Sequence, residues 1–224
     1  MNHRKLPLNF FGKSDADFQK FHEKHFLKVE DTRLIENQGK TLLCQKKYPS
    51  ISQLRNFSNQ VFSWGGTTGS RVRGKVSKFP DSSSRLFFLL SFHYIHQKEF
   101  FLAALSVQAI KNLGGKTGGL SYASKHLRFL WPERCGVLDS TVEKYLAFSY
   151  PTLPKLYLFY IYSNFCVNKA DELSKRGLLL GDCLPTTPNY PVYSNAAKPW
   201  KAADVDMAVF AKLSFASKRK GWYP

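Results

Sequence analysis

The chain has 224 residues, and 33 Lys+Arg against 16 Asp+Glu leave a formal net charge of +17. At 43% hydrophobic it is too apolar for a disordered basic tail, and it is long enough for one folded unit with a sizeable core. Such a charge points to a polyanionic partner, nucleic acid ahead of an anionic membrane, with plain solubility as the alternative.

In chain order, residues 14–28 set Phe18, Phe21, Phe26 and Leu27 near helical spacing, with Ser14 or Asp15 as N-cap. Residues 51–62 predict a second amphipathic helix. The glycine-rich, basic stretch 65–75 cannot easily be helical and is predicted as a loop, whose Arg71, Arg73 and Lys75 are candidate DNA contacts. Residues 85–112 are apolar enough for two helices broken near Gln97, and the glycines of 114–119 end them. Helical spacing resumes over 120–131, stops at Pro132, and returns over 140–148 and, rich in aromatics, over 151–171. Pro185, Pro188, Pro191 and Pro199 make 181–199 a surface connection, and 204–217 predicts the closing helix. No repeat and no strand alternation is visible. The predicted fold class is all-α, in one domain spanning 1–224: N-terminal helices and basic loop (1–84), a core (85–150) and C-terminal helices (151–224).

Cys44, Cys135, Cys166 and Cys183 form no C-x-x-C, and His22/His25 and His93/His96 lack a cysteine to complete a zinc set. Neither a metal nor a cofactor is expected. Residues 1–5 are basic, but the apolar stretch after them is broken by Pro7 and Asn9, so no secretory signal is read. The most apolar runs, 86–95 and 156–165, are half of the roughly 20 residues that a membrane span needs. The expectation is a cytoplasmic protein without membrane association.

The stretch 109–146 carries the chemistry. It reads helix, glycine hairpin, helix, short loop, and an aspartate at the next helix start. A glycine hairpin between helices exposes backbone N–H groups that bind a DNA phosphate without reading sequence, which nominates Gly115, Lys116, Gly118 and Gly119. Gly115-Lys116-Thr117 imitates the end of a nucleotide-binding P-loop, but the earlier glycine that loop requires would fall on Ile110, after a helix rather than a strand. On a helical wheel, Leu120, Ala123, Leu127 and Leu130 share a core face, and Tyr122, Lys125 and Phe129 form a stripe opposite. Asp139 is either an N-cap or, if Ser140 and Glu143 close a capping box, a carboxylate free for other work.

This arrangement resembles the helix-hairpin-helix DNA glycosylase superfamily, in particular the prokaryotic branch with the 8-oxoguanine glycosylase fold. Gly118-Gly119 matches the hairpin end, Val137-Leu138-Asp139 matches the aspartate motif, and Ala123-Ser124-Lys125 through Leu127, Phe129 and Pro132 matches the stretch between. The clear resemblance covers 109–146, with a similar closing helix around Asp204-Val205-Asp206. It implies an enzyme that flips a modified base from duplex DNA and excises it. Asp139 would stabilise the charge that develops on the sugar, and Lys125 would attack C1′ with accompanying AP-lyase activity. Phe129 would stack on the base with Tyr122, Trp64 and Trp200 as further pocket candidates. Arg128 would contact DNA, and the lowered lysine pKa that the attack needs would come from burial or from cationic neighbours, for which Arg128 and Lys116 are the candidates. Aligned from the hairpin, the lysine position of the eukaryotic-type enzymes falls on Tyr122, and Lys125 lies one turn later on the same face. A monofunctional enzyme, whose lysine only holds the strand, therefore stays open.

The implied partner is double-stranded DNA containing a modified base, bound by a monomer at the nucleoid. The base could be 8-oxoguanine-like, as in repair, or a bulky modified base, as in antiviral defence. The alternatives are a non-catalytic helix-hairpin-helix DNA-binding protein and a basic RNA-binding protein.

Overall fold

The computed structural model describes residues 21–22, 32–64, 82–110, 119–179 and 199–219. Among them all regular structure is helical: α1 (Thr32–Cys44), α2 (Ile51–Trp64), α3 (Ser82–His96), α4 (Phe100–Gln108), α5 (Gly119–Leu130), α6 (Ser140–Ser149), α7 (Lys155–Lys175) and α8 (Ala202–Arg219). The all-α class follows the sequence expectation. The predicted loop 65–75 and nearly all of the predicted connection 181–199 lie outside the described residues, as does most of 14–28, of which Phe21 and His22 are helical. No described helix is long and apolar enough to cross a membrane.

Helix ends follow local chemistry. α2 starts with a capping box: Ser50 Oγ accepts from the Gln53 N–H at 3.2 Å while the Ser50 N–H donates to Gln53 Oε1 at 2.8 Å. The predicted break near Gln97 falls where Lys98 takes a left-handed φ of 60° and turns the chain from α3 into α4. α7 ends on Gly177, φ 76°, where the Leu178 and Gly177 N–H groups bond back to the Leu173 and Ser174 carbonyls at 3.1 and 3.0 Å. Such an ending needs the left-handed conformation that glycine adopts without strain.

α1 has no counterpart among the predicted elements. Its buried face includes Thr32, Glu36 and Gly39, while Leu34 is exposed, so the apolar pattern that betrays a helix is partly inverted. Its packing explains the inversion. A Cβ at Gly39 would collide with the carbonyl oxygen of Phe129, so glycine lets α1 cross the end of α5 at backbone contact. Glu36 is buried because its two oxygens meet Arg33, one turn back on α1, and an arginine from α5.

α5 is the hub, packing against α1, α2, α4 and α7, while α8 packs on α6 and α7. All eight helices contribute to one apolar cluster. α4 and α7 lock through Phe100 on Phe159 (4.9 Å between ring centroids) and Phe101 on Tyr160 (4.7 Å).

Candidate active site

A hub helix cannot keep a wet face. Every residue of α5 from Tyr122 to Leu130 is buried, which corrects the expected division into a core face and an opposite stripe. Two cations are caught in this burial: Lys125, 8% exposed, and Arg128, 0% exposed. They are treated differently. Arg128 Nη1 lies 3.1 Å from Glu36 Oε1 and its Nε lies 3.9 Å from Asp206 Oδ2, with the guanidinium 4.6 Å from the Phe129 ring centroid and 5.2 Å from that of Trp64. Lys125 closes no ion pair with a described carboxylate; its Nζ sits 4.9 Å from the Tyr122 ring centroid.

The loop between α5 and α6 is pinned at successive amides. The Gly136 N–H points to Ser163 Oγ (3.4 Å), that of Val137 to Asp206 Oδ1 (3.0 Å), and that of Leu138 to Ser124 Oγ (3.0 Å). Gly136 is required here, because a Cβ would sit 2.8 Å from Tyr162 Cε1. Pro132 O also accepts from the Ala203 N–H at 2.9 Å, which ties the loop to the start of α8. These bonds deliver Asp139 to the neighbourhood of Lys125, which follows Ser124 on α5.

Asp139 is itself the N-cap of α6. Its extended backbone (φ −87°, ψ 176°) brings Oδ1 over the first turn, where it accepts from the Thr141 and Val142 N–H groups, each at 2.9 Å. The expected Ser140–Glu143 box does not form. Ser140 is already the first helical residue, and Glu143 Oε1 pairs with Lys155 Nζ at 2.7 Å instead. Capping occupies Oδ1 alone and leaves Oδ2 for another partner.

The electrostatics make a pair of Lys125 and Asp139. Burial pushes the Lys125 pKa down from 10.5, against the opposing pull of the Asp139 and Asp206 charges. Burial pushes the Asp139 carboxyl up from 3.8, against the Val142 N–H, the Lys125 charge and the Thr141 N–H. Each shift narrows the gap between the two groups. Of the two expected causes, burial is the larger one on Lys125, Arg128 is engaged by its own carboxylates, and Lys116 lies outside the described residues.

Other predicted site residues divide sharply. Tyr122 lies beside Lys125, with its hydroxyl buried and without a hydrogen-bond partner; burial raises its pKa. Phe129, expected to stack on a base, is fully buried against Trp64 (5.0 Å) and Arg128, so the core holds its ring. Arg128, expected on DNA, is sealed in its ion pairs and reaches no surface. Trp64 is half-buried and donates from Nε1 to Thr32 Oγ1 at 2.9 Å, and Trp200 is buried edge-on to His22 at 5.2 Å; both are packing residues of this structure. Gly119 begins α5 beside Gln108 at the end of α4, on the far side of 111–118 in sequence. Gly115, Lys116, Gly118, Arg71, Arg73 and Lys75 lie outside the described residues.

Sequence reasoning assigned no role to Ser124, Ser163 and Asp206, which hold the loop, to Tyr162, which donates to Asp206, or to Glu36, which pairs with Arg128 and Arg33. Their common signal is weak: a polar residue on an otherwise apolar helix face, as with Ser163 amid the aromatics of α7. In comparisons with known proteins, no family model, curated relative or solved structure matches this chain.

Proposed function

We propose that the protein is a DNA glycosylase that excises a modified base from duplex DNA, with Lys125 and Asp139 as its catalytic pair and AP-lyase chemistry through the lysine. The observation that carries this is a buried amine and a part-buried carboxylate that feel each other's charge without closing an ion pair. A purely structural buried pair ordinarily closes, because an open one leaves both desolvation penalties uncompensated. The resemblance over 109–146 and the charge of +17 supply the substrate class.

The chemistry needs two protonation states at once. As the glycosidic bond breaks, positive charge grows at C1′, and the Asp139 carboxylate stabilises it at close range in a site with little water. The neutral Lys125 amine attacks C1′ as the base departs, the C1′–O4′ bond then opens with a proton passing to O4′, and the Schiff base so formed allows the 3′-phosphate to leave by β-elimination. Burial favours the neutral amine, while the N–H groups of α6 and the lysine itself favour the carboxylate. Flipping the base costs about a few kcal/mol, which backbone contacts to the phosphates offset. An oxidised guanine is one substrate; a bulky modified base is the other to be screened.

The test is borohydride reduction during incubation with duplexes carrying a panel of modified bases. A covalent adduct should form with the native chain, and Lys125→Gln should abolish both trapping and base release. Asp139→Asn should remove most base release with DNA affinity nearly intact, since asparagine keeps the cap but not the charge. Tyr122→Phe is the control, because a phenol cannot form the imine. Base release that persists in Lys125→Gln without any adduct would make the enzyme monofunctional. Tight, salt-dependent DNA binding with no base released from any duplex would leave the non-catalytic DNA-binding reading, which the charge alone also supports.

A further inference from the structure

Asp206 lies on α8, remote in sequence from the pair, yet it meets the loop before Asp139, α7 and α5 at once. Its Oδ1 accepts from the Val137 N–H at 3.0 Å and from the Tyr162 hydroxyl at 2.8 Å. Its Oδ2 faces Arg128 Nε at 3.9 Å. One carboxylate thus ties the loop that ends in Asp139 to α7, and ties both to an arginine one turn along α5 from Lys125. Its near neighbour Asp204 works in another direction, with Oδ1 accepting from Arg33 Nη2 and Oδ2 from the Lys201 N–H, each at 3.0 Å.

Resting on the catalytic reading of Lys125 and Asp139, we infer that Asp206 is the positioning residue of the pair: its carboxylate fixes the loop that presents Asp139 and stands as a second anion toward the Lys125 amine. The two duties belong to different chemical features. Fixing the loop needs only an acceptor oxygen for Val137 and Tyr162. Acting on the amine needs the charge. The groups facing Asp206 are Arg128, Tyr162, Cys166 and Asp139, and those facing Lys125 are Asp139, Asp206, Tyr122 and His126. Burial and the Arg128 cation oppose each other on Asp206, and its pKa is pushed up to about 6, so the anion is present at neutral pH.

The geometry separates the duties by substitution. Asp206→Asn keeps an acceptor oxygen and removes the charge, and Asp206→Ala removes both. The Lys125 amine is titrated by NMR through its side-chain carbon and nitrogen signals, assigned by their loss in Lys125→Met, with no DNA present. Asp206→Asn should move the amine midpoint down by about half a pH unit or more, because one of two neighbouring anions is gone. The Val137 amide should exchange with solvent at nearly the native rate in Asp206→Asn and at least tenfold faster in Asp206→Ala. Borohydride trapping on an abasic-site duplex should then slow at least tenfold in Asp206→Ala, at unchanged DNA affinity.

An unmoved amine midpoint in folded Asp206→Asn overturns the electrostatic duty, and unmoved Val137 exchange in Asp206→Ala overturns the positioning one. Should Asp206→Ala not fold, Tyr162→Phe replaces it; there too the Val137 amide should exchange faster, and native exchange would count against positioning. Failure of the native chain to form an adduct on any DNA defeats the glycosylase reading alone, because titration and exchange are measured without substrate.

Discussion

Lys125 and Arg128 stand one turn apart on the same helix, buried in the same core, and the protein treats their charges in opposite ways. Arg128 is met by Glu36 from α1 and Asp206 from α8, and its flat guanidinium lies against the rings of both Phe129 and Trp64. A lysine would not be equivalent, since an ammonium has neither a plane to lie flat on a ring nor a rigid fork of donors. Lys125 has the ring of Tyr122 and two carboxylates within electrostatic reach but no contact ion pair. Between them, His126 shows a third answer: it stays neutral inside a ring of Phe57, Phe62 and Phe88, its Nδ1 2.8 Å from the Tyr122 carbonyl. A charge that is closed serves the fold, and one left open is available for chemistry.

The largest expected effect comes from breaking the closed side. Arg128→Met removes the only ion-pair partner of Asp206 among the described residues and leaves Glu36 to Arg33 (2.7 Å) and Lys201 (3.8 Å), and should remove about 3 kcal/mol of stability in urea unfolding. A loss below about 1 kcal/mol would show that the partners each acid already has suffice without Arg128.

The pH dependence of stability should reveal the neutral imidazole. The His126 pKa is lowered from 6.5 to about 4, because burial disfavours the cation. Between those values the unfolded chain binds a proton that the folded one refuses, so stability falls as pH falls through that window. Asp206 acts with the other sign: its carboxyl is raised from 3.8 to about 6, so the folded chain takes up the extra proton and gains stability on acidification. The two nearly cancel in the native chain between about pH 6 and 4.5, so removing the imidazole in His126→Leu should leave stability rising on acidification, against a nearly flat native curve. Parallel curves for the two proteins would refute the assignment.

Smaller effects lie at the open side. Asp139→Ala loses the cap of α6 and should cost about 1 kcal/mol, whereas Asp139→Asn should cost only a few tenths. Equal losses in both would mean that charge rather than capping holds the helix start.

The smallest effect has the opposite sign. A lowered lysine pKa means that the charged form is disfavoured in the folded state, so stability is reduced below that pKa and recovers as pH rises toward 10.5. At neutral pH, Lys125→Met should then be neutral or slightly stabilising, although it abolishes any chemistry of the amine. A clear destabilisation would place Lys125 with Arg128 as a structural cation.

Composition and periodicity suffice for the class of this fold and for most of its helices, because amphipathic spacing, the proline before α6 and the glycine stretch after α4 act locally. The sequence also contains the reason to look at Lys125 and Asp139, since an aromatic-flanked lysine and an aspartate at a helix start are visible without coordinates. What it could not contain is the identity of the hub. Tyr122, Lys125, Arg128 and Phe129 look like the polar or open side of an amphipathic helix only while the rest of the chain is absent. Once α1, α2, α4 and α7 surround α5, that side is buried too, and each residue is redefined by what meets it: Glu36 from a helix that periodicity hides, Asp206 from α8, Ser124 against the Leu138 amide. Burial converts an ordinary lysine and a capping aspartate into groups whose pKa values move toward each other, and burial is a property of packing over long sequence separations. Local sequence named the groups; only the tertiary structure decided which charges are closed and which is left open.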